Sequence, residues 1–350
     1  MKVLPAAIAC IALAGCGGGS ATQSVPSAPL QASAGHRTPH ARATRIYFSG
    51  SDANTTGVYG EPEIGVYSAT ANGNVAPLRT VKGSNTGFIA LATLTLDPTG
   101  AIWACDFDAN RAFKFPASAS GNVAPIATLG AGAAGLDDCN GVSVLSSGAL
   151  FMSSFGGDGN LKPSIFVWKA GATGNAHPIR TIVGPATGLH STAGSAFDSG
   201  GKLFVSTGYN DSIEVFAAAA DGNVAPLRKI AGANTGLSYV PNIAIDATDN
   251  VWAVNESNDS ITEYAHTASG NAAPLVTIKG SKTKLDDPYG IAVDAAGYIY
   301  AGNCPQNVTT PPAVGSILVF APGATGNVAP IQVIKGSNAY LTCVDGVAVK

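Results

Sequence analysis

The sequence predicts an all-β fold, a six-bladed β-propeller with four-stranded blades. Three observations carry that prediction: a Gly-Asn motif that recurs six times, a pair of short β-rich runs between its copies, and ends of the chain that fall at different points of the repeat. The glycine of the motif stands at Gly73, Gly121, Gly174, Gly222, Gly270 and Gly326, so successive copies lie 48, 53, 48, 48 and 56 residues apart. A repeat of about fifty residues with no helical periodicity is the signature of a blade.

The strands follow in order from the last full copy. "YGIAVDAAGYIYAGN" holds two β-rich runs around an aspartate turn, which gives an inner strand a at Gly290–Val293 and a strand b at Tyr298–Ala301. Strand c is expected at Ser316–Ala321 and strand d at Pro330–Lys335. The other inner strands are read at Leu91–Leu96, Gly141–Val144, Gly194–Phe197, Asn242–Ile245 and Gly346–Val349. Their alternation of bulky and small residues, as in Ile291, Ala292 and Val293, suits the crowded centre of a ring. Strand d carries Arg79, Arg180 and Arg228 with Lys82, Lys279 and Lys335, read as solvated charges that protect an outer edge from pairing. Gly-Asn-x-x-Pro is expected to be the c–d turn, its glycine and asparagine both at positive φ and its proline starting the outer strand. Asp97, Asp198, Asp246 and Asp294 are expected to cap their own a–b turns.

The ends of the chain set the closure. The folded part opens with "RIYFSG" at Arg45, which matches strand b, and stops with "DGVAVK" at Asp345–Lys350, which matches strand a. The last strand is therefore expected to complete the first blade and to close the ring non-covalently.

Composition bounds the partners. Among 350 residues there are 43 Gly and 21 Pro, only 12% are charged, and the net charge is -3, which excludes a basic nucleic-acid surface. "MKVLPAAIACIALAGC" has the charge, the short apolar run and the small residues of an export signal. Its last four residues, Leu13–Cys16, resemble a bacterial lipobox, which implies cleavage after residue 15 and a lipid on Cys16. Residues 16–43 are then a lipidated tether, rich in Gly, Ser and Pro, and residues 44–350 the propeller. His36 and His40 fall in that tether and are not read as a metal pair. The expected address is the bacterial cell envelope, either outer membrane or periplasm; Gly17 offers no inner-membrane retention signal and favours the outer membrane. The chain is expected to be a monomer.

Four further cysteines repeat one relationship. Cys105 ends a strand b and Cys139 precedes the next strand a; Cys304 and Cys343 do the same. In an exported chain this predicts two disulfides, Cys105–Cys139 and Cys304–Cys343, each on one face of a single blade, with free buried thiols as the alternative.

With "GIAVDAAGYIYAGN" followed by "SILVFA", the chain from about Arg45 to Lys350 resembles the NHL-repeat six-bladed propellers. More distantly it is similar to regucalcin and gluconolactonase-like propellers and to streptogramin lyases. Such motifs specify blades, and fold analogy does not transfer chemistry. Function in a propeller is expected at the channel mouth, where d–a and b–c loops meet. The ligand-binding candidates there are Asn140, Asn242, Tyr289, Asp345, Asn255 and Asn303, beside Asp106 and Glu256. The regucalcin resemblance implies calcium or another divalent metal at the mouth, with Asn140, Asn242 and Asp345 approximating three of the ligands, but the family's glutamate has no counterpart. A streptogramin-lyase-like site needs a histidine and an acid, and only His190 lies in a suitable loop. Glu61 and Glu63 are read as loop acids rather than a catalytic pair. The expected function is a binding or interaction scaffold for a protein or glycan. The alternative is a metal-dependent hydrolase or lyase acting on a small lactone or carbohydrate-derived substrate.

Overall fold

A computed structural model describes residues 41–53, 59–130, 136–156, 162–306 and 315–350. The readings of Cys16, the signal and most of the tether lie outside these residues. Pro39–Lys350 forms a compact unit of its own. Among the described residues no helix is long and apolar enough to cross a membrane.

The unit consists of six antiparallel four-stranded sheets, arranged as a six-bladed propeller. Blade 1 pairs Leu341–Val349, Arg45–Ala53, Tyr59–Ser68 and Arg79–Val81 as its strands a to d. Blades 2 to 6 begin with inner strands at Leu91–Leu96, Cys139–Val144, Thr192–Phe197, Ile243–Ile245 and Pro288–Val293. The last strand of the chain thus completes the first blade, with Phe48 opposite Val347 and Ile46 opposite Val349. It starts four residues before the expected Asp345, because the register shifts at Ser49/Gly50 and pairing then continues outward to Leu341.

The core lies between the blades. Blades 4 and 5, for example, pack Phe204, Ile213 and Ile230 against Val240, Ile243 and Tyr264. Strands b and c are covered on both faces, so segments such as Ile102–Asp106 and Ser164–Trp168 are buried throughout. Strand d is covered on one side only, and in blades 1 to 5 a single residue of each outer strand is buried, Val81, Leu129, Ile182, Ile230 and Ile278. Each fully buried side chain of this size contributes roughly 1.5–3 kcal/mol.

The Gly-Asn motif has a different job from the one its residues suggested. The hairpin bend falls earlier, at segments such as Pro116–Ala119, where Ala119 N donates to Pro116 O at 2.9 Å. The motif then turns sideways onto the outer strand of the preceding blade. Gly121 N donates to Thr80 O at 2.7 Å, and parallel bridges of this kind join all six neighbouring pairs, from Val81 with Gly121 to Gly73 with Ile334. The glycine is at positive φ, but the asparagine is not among the positive-φ residues. Its side chain reaches back instead: Asn122 Oδ1 accepts from Asn85 N at 2.7 Å, and Asn223, Asn271, Asn327 and Asn74 do the same to Ala186, Asn234, Lys282 and Asn338. The repeat is a clasp between blades. A side chain on Gly232, at φ 128°, would collide with the clasping Asn271, which is why the second glycine of the repeat recurs.

Other scaffold readings divide. The aspartate turns behave as expected: Asp246 Oδ1 accepts from Thr248 N at 2.7 Å and Asn250 N at 3.1 Å, and Asp97, Asp198 and Asp294 repeat the pattern. The outer-strand arginines are not simply solvated. Arg79 and Arg180 donate to carbonyls of the next blade, Ala117 O at 2.5 Å and Ala218 O at 2.7 Å, and Arg228 donates to His266 O. Their guanidinium groups also lie over Tyr47, Phe151 and Phe204, because a long stem next to a neighbouring strand covers apolar surface before it reaches water. Glu63 is not a loop acid. It sits fully buried within strand c of blade 1, 3.7 Å from Lys82 Nζ.

Both disulfides form with the expected partners, but each joins two blades. Cys105 is the next-to-last residue of strand b of blade 2 and Cys139 begins strand a of blade 3; Cys304 follows strand b of blade 6 and Cys343 lies in the closing strand. The b–c loop of one blade sits beside the d–a segment that starts the next, so a bridge between them crosses the interface. Closure of the ring is therefore covalent as well as hydrogen-bonded.

Candidate functional site

Strand direction alternates within each blade, so the b–c and d–a loops share one face, the mouth, while a–b turns and Gly-Asn clasps occupy the other, the turn face. The last residue of strand b is the anchor of the mouth. Asp106 accepts from the backbone N–H groups of Ile89 and Ala90 at 2.8 and 3.1 Å. Ser154 accepts from Asp137 N, Asn255 from Ser238 N and Asn303 from Asp286 N, each seventeen residues earlier in the chain. Burial alone would favour the neutral acid, and it is the largest influence on Asp106, raising its pKa despite three backbone donors.

This geometry places each candidate read from the sequence. Asn255 and Asn303 are buried and saturated within their blades: Asn255 donates to Ser260 and Thr262, and Asn303 to Lys284 O and Ser316. Asn140 offers its backbone carbonyl to Thr93 Oγ1 at 2.8 Å. The Asn242 side chain accepts from its neighbour Ile243 N at 2.9 Å and lines the central channel, a space of about 310 Å³ walled by the inner strands. Tyr289 and Asp345 do come together. They line a cavity of about 300 Å³ at the mouth with Ile89, Leu91, Gln306 and the Cys304–Cys343 disulfide.

Part of Asp345 reaches this cavity, but its carboxyl group is enclosed, and loss of water pushes its pKa up to about 8. Cys343 Sγ lies 2.9 Å from its Oδ1, a contact and not a hydrogen bond, since a bridged sulfur has no proton to donate. Glu256 is raised to about 7, first by burial and then by the neighbouring charges of Asp287 and Asp259. Burial, Tyr239 and Asp345 together hold the Tyr289 hydroxyl well above its usual range.

An aromatic arc continues from these acids around the mouth. Tyr289 and Tyr239 lie close enough for each hydroxyl to affect the other's titration. Tyr239 and Tyr209 have ring centroids 5.2 Å apart, Tyr209 and Phe155 5.9 Å, and Phe155 and Phe107 6.1 Å. The arc spans blades 2 to 6, and Tyr209 is 64% exposed. Sequence reasoning missed Phe107, Phe155, Tyr209 and Tyr239. The signal was present, because Phe107 and Phe155 each follow the last residue of a strand b and Tyr209 comes one residue later.

The catalytic alternatives can be tested on these positions. Among the described residues, the group of Cys, His, Asp and Glu close enough to share an ion is Cys304, Cys343 and Asp345. Two of its three atoms are bridged sulfurs without thiolate charge, and calcium takes six to eight oxygens. This donor set does not fit calcium. His190 Nδ1 lies 3.2 Å from Ser191 Oγ, a contact between chain neighbours rather than a histidine directed by an acid.

Comparison with known proteins shows a likeness of fold. No protein-family model matches the chain, and no curated protein does. A protein of unknown function from Bacteroides caccae is similar in structure, with a TM-score of 0.61 at 8% identity, covering 87% of this chain and 98% of that one. A putative 6-phosphogluconolactonase from Bacteroides uniformis gives 0.53 at 15% identity, covering 83% and 82%. A streptogramin B lyase aligns with a TM-score of 0.44 at 14% identity, over 80% and 96%. The likeness is one of fold. At these identities the first two likenesses extend to the fold alone.

Proposed function

We propose that this chain is a lipid-anchored binding module outside the cytoplasm that holds a ligand at the mouth of its channel. The observation that carries the reading is the aromatic arc ending on two carboxyl groups with raised pKa, Glu256 and Asp345. Aromatic faces take a flat apolar surface, and carboxyls that hold their protons both donate to and accept from hydroxyls. A saccharide offers both, with C–H groups on one face and hydroxyls at its edge; a peptide carrying a ring and a basic group would do so as well. Two disulfides accord with an oxidising compartment, and the Leu13–Cys16 lipobox supplies the anchor.

The test has two arms. Thermal-shift screening of the protein against a glycan and peptide panel should give a hit whose affinity falls roughly tenfold in Tyr239→Ala, the loss of one or two ring contacts. Equal affinity in that variant would remove the arc from the site. Separately, Cys16→Ser should abolish metabolic labelling of the protein with a fatty acid, and unchanged labelling would remove the anchor.

One observation favours the second reading, a hydrolase or lyase for a lactone. A carboxyl with a pKa of about 8 is a competent general acid near neutral pH. Turnover of a lactone panel that is lost in Asp345→Asn would decide for it.

A further inference from the structure

The turn face carries a feature that the mouth reading does not use. The residue after the proline of every clasp is Leu or Ile: Leu78, Ile126, Ile179, Leu227, Leu275 and Ile331. All six are exposed, between 48% and 62%. Each holds the same register at the start of its outer strand, its backbone N–H donating to strand c of its own blade, as Leu78 N does to Val66 O at 2.8 Å and Leu227 N to Val215 O at 2.7 Å. That bond needs only the backbone and would accept any residue but proline. The next position in the six copies is Arg, Ala, Arg, Arg, Val and Gln. One exposed aliphatic residue is ordinary, but the same one at the same register in all six copies is more than that backbone bond requires.

The chain enters the propeller on this same face. Thr44 N and Arg45 N both donate to Lys350 O, and Arg42 lies over Tyr298 at 4.2 Å. The exposed cations Arg45, Lys169 and Lys350 belong to this face too.

We propose that the turn face is a membrane-docking surface, on which six equivalent aliphatic side chains seat the propeller flat on the bilayer interface and point the mouth away from it. A ring of six identical contacts calls for a partner that is the same in every direction around the axis. A lipid surface is such a partner, and a folded protein would meet one or two blades. Shallow insertion of aliphatic groups next to basic residues is how proteins that lie on anionic membranes hold to them. The choice of lipid rests on the anchored reading, since the described chain begins at this rim with Ala41.

The test uses residues 39–350, a compact unit with its own closed ring, and therefore works without Cys16. Flotation with phosphatidylethanolamine–phosphatidylglycerol vesicles should carry the protein upward. Replacing all six residues by serine should weaken association by about tenfold or more, with melting checked alongside; if that variant does not fold, the opposed pair Leu78→Ser and Leu227→Ser should show a partial loss. In Leu227→Trp the new fluorescence should shift to the blue and be quenched by brominated acyl chains, whereas in Tyr209→Trp it should not. The proposal is overturned if the wild-type domain does not float, if the serine variants float equally, or if the mouth tryptophan is the one quenched. It is equally overturned if sedimentation without lipid shows a dimer that the serine variant abolishes, since the ring would then face a second copy. A failure of Cys16→Ser to abolish fatty-acid labelling would remove the anchor and leave these outcomes unchanged.

Discussion

The two faces of this propeller are built from the same repeat and have diverged to different degrees. On the turn face the copies remain alike: glycine at positive φ and a clasp bridge in every motif, aspartate turns in four blades, and an exposed Leu or Ile in all six. On the mouth face equivalent positions differ. The last residue of strand b is Asp106, Ser154, Thr207, Asn255 or Asn303, and the residue that follows is Phe107, Phe155, Gly208, Glu256 or Cys304. The reason is mechanical. Turn-face residues bind one blade to the next, so a change at one copy disturbs an interface that every other copy shares. Beyond its backbone-capping group, a mouth loop is free to vary. Uniformity marks the scaffold and whatever meets it evenly; departure from it marks where this chain is specific.

The largest expected effect comes from breaking the irregular face at its seam. Cys304→Ser with Cys343→Ser releases the closing strand from blade 6, whereas Cys105→Ser with Cys139→Ser opens an interface between blades that are already contiguous in the chain. Each loss should cost about 2–4 kcal/mol, and denaturant unfolding should show the first pair to be at least as damaging. A harmless seam variant would mean that the pairing of Phe48 and Val347 with their neighbours suffices for closure.

A middle effect concerns Asp345. Its folded pKa of about 8 lies above the ordinary carboxyl value, so the native state holds a proton that the unfolded chain gives up. Stability from this group is complete below about pH 4 and is lost as pH rises toward 8, with Glu256 acting in the same direction. Asp345→Asn should match the wild type in acid and exceed it at pH 9 by on the order of 1–3 kcal/mol, allowing for the residue's partial exposure. Parallel stability curves for the two proteins would place the carboxyl in water.

The smallest effect sharpens the account of the regular face. Asn271→Ala removes a clasp whose loss should cost about 1 kcal/mol, and Asn223→Ala should cost the same, since both make one bond of equal kind. Unequal losses in thermal melts would show that the asparagine clasps are not equivalent after all.

The repeat spacing, the four-strand unit, the aspartate caps, the disulfide partners and closure by the last strand were all legible in the sequence, because each rests on residues close together in the chain or on counting copies. The neighbours of each motif were not. Asn122 reads as a turn residue until it is seen against Asn85, Arg79 as a solvated charge until Ala117 and Tyr47 lie beside it, and the cysteine pairs as bridges within one blade until the b–c loop is found against the next inner strand. Among the six mouth candidates, Asn255 and Asn303 are consumed by the backbone of the loop before them, while Tyr289 and Asp345 share a cavity with residues from opposite ends of the chain. By itself the sequence determined what each blade is, since strand period and turn chemistry are local. Only the tertiary structure decided what each blade touches, since which polar groups are satisfied inside the protein and which are left facing the mouth depends on burial between blades, and burial is a property of the closed ring.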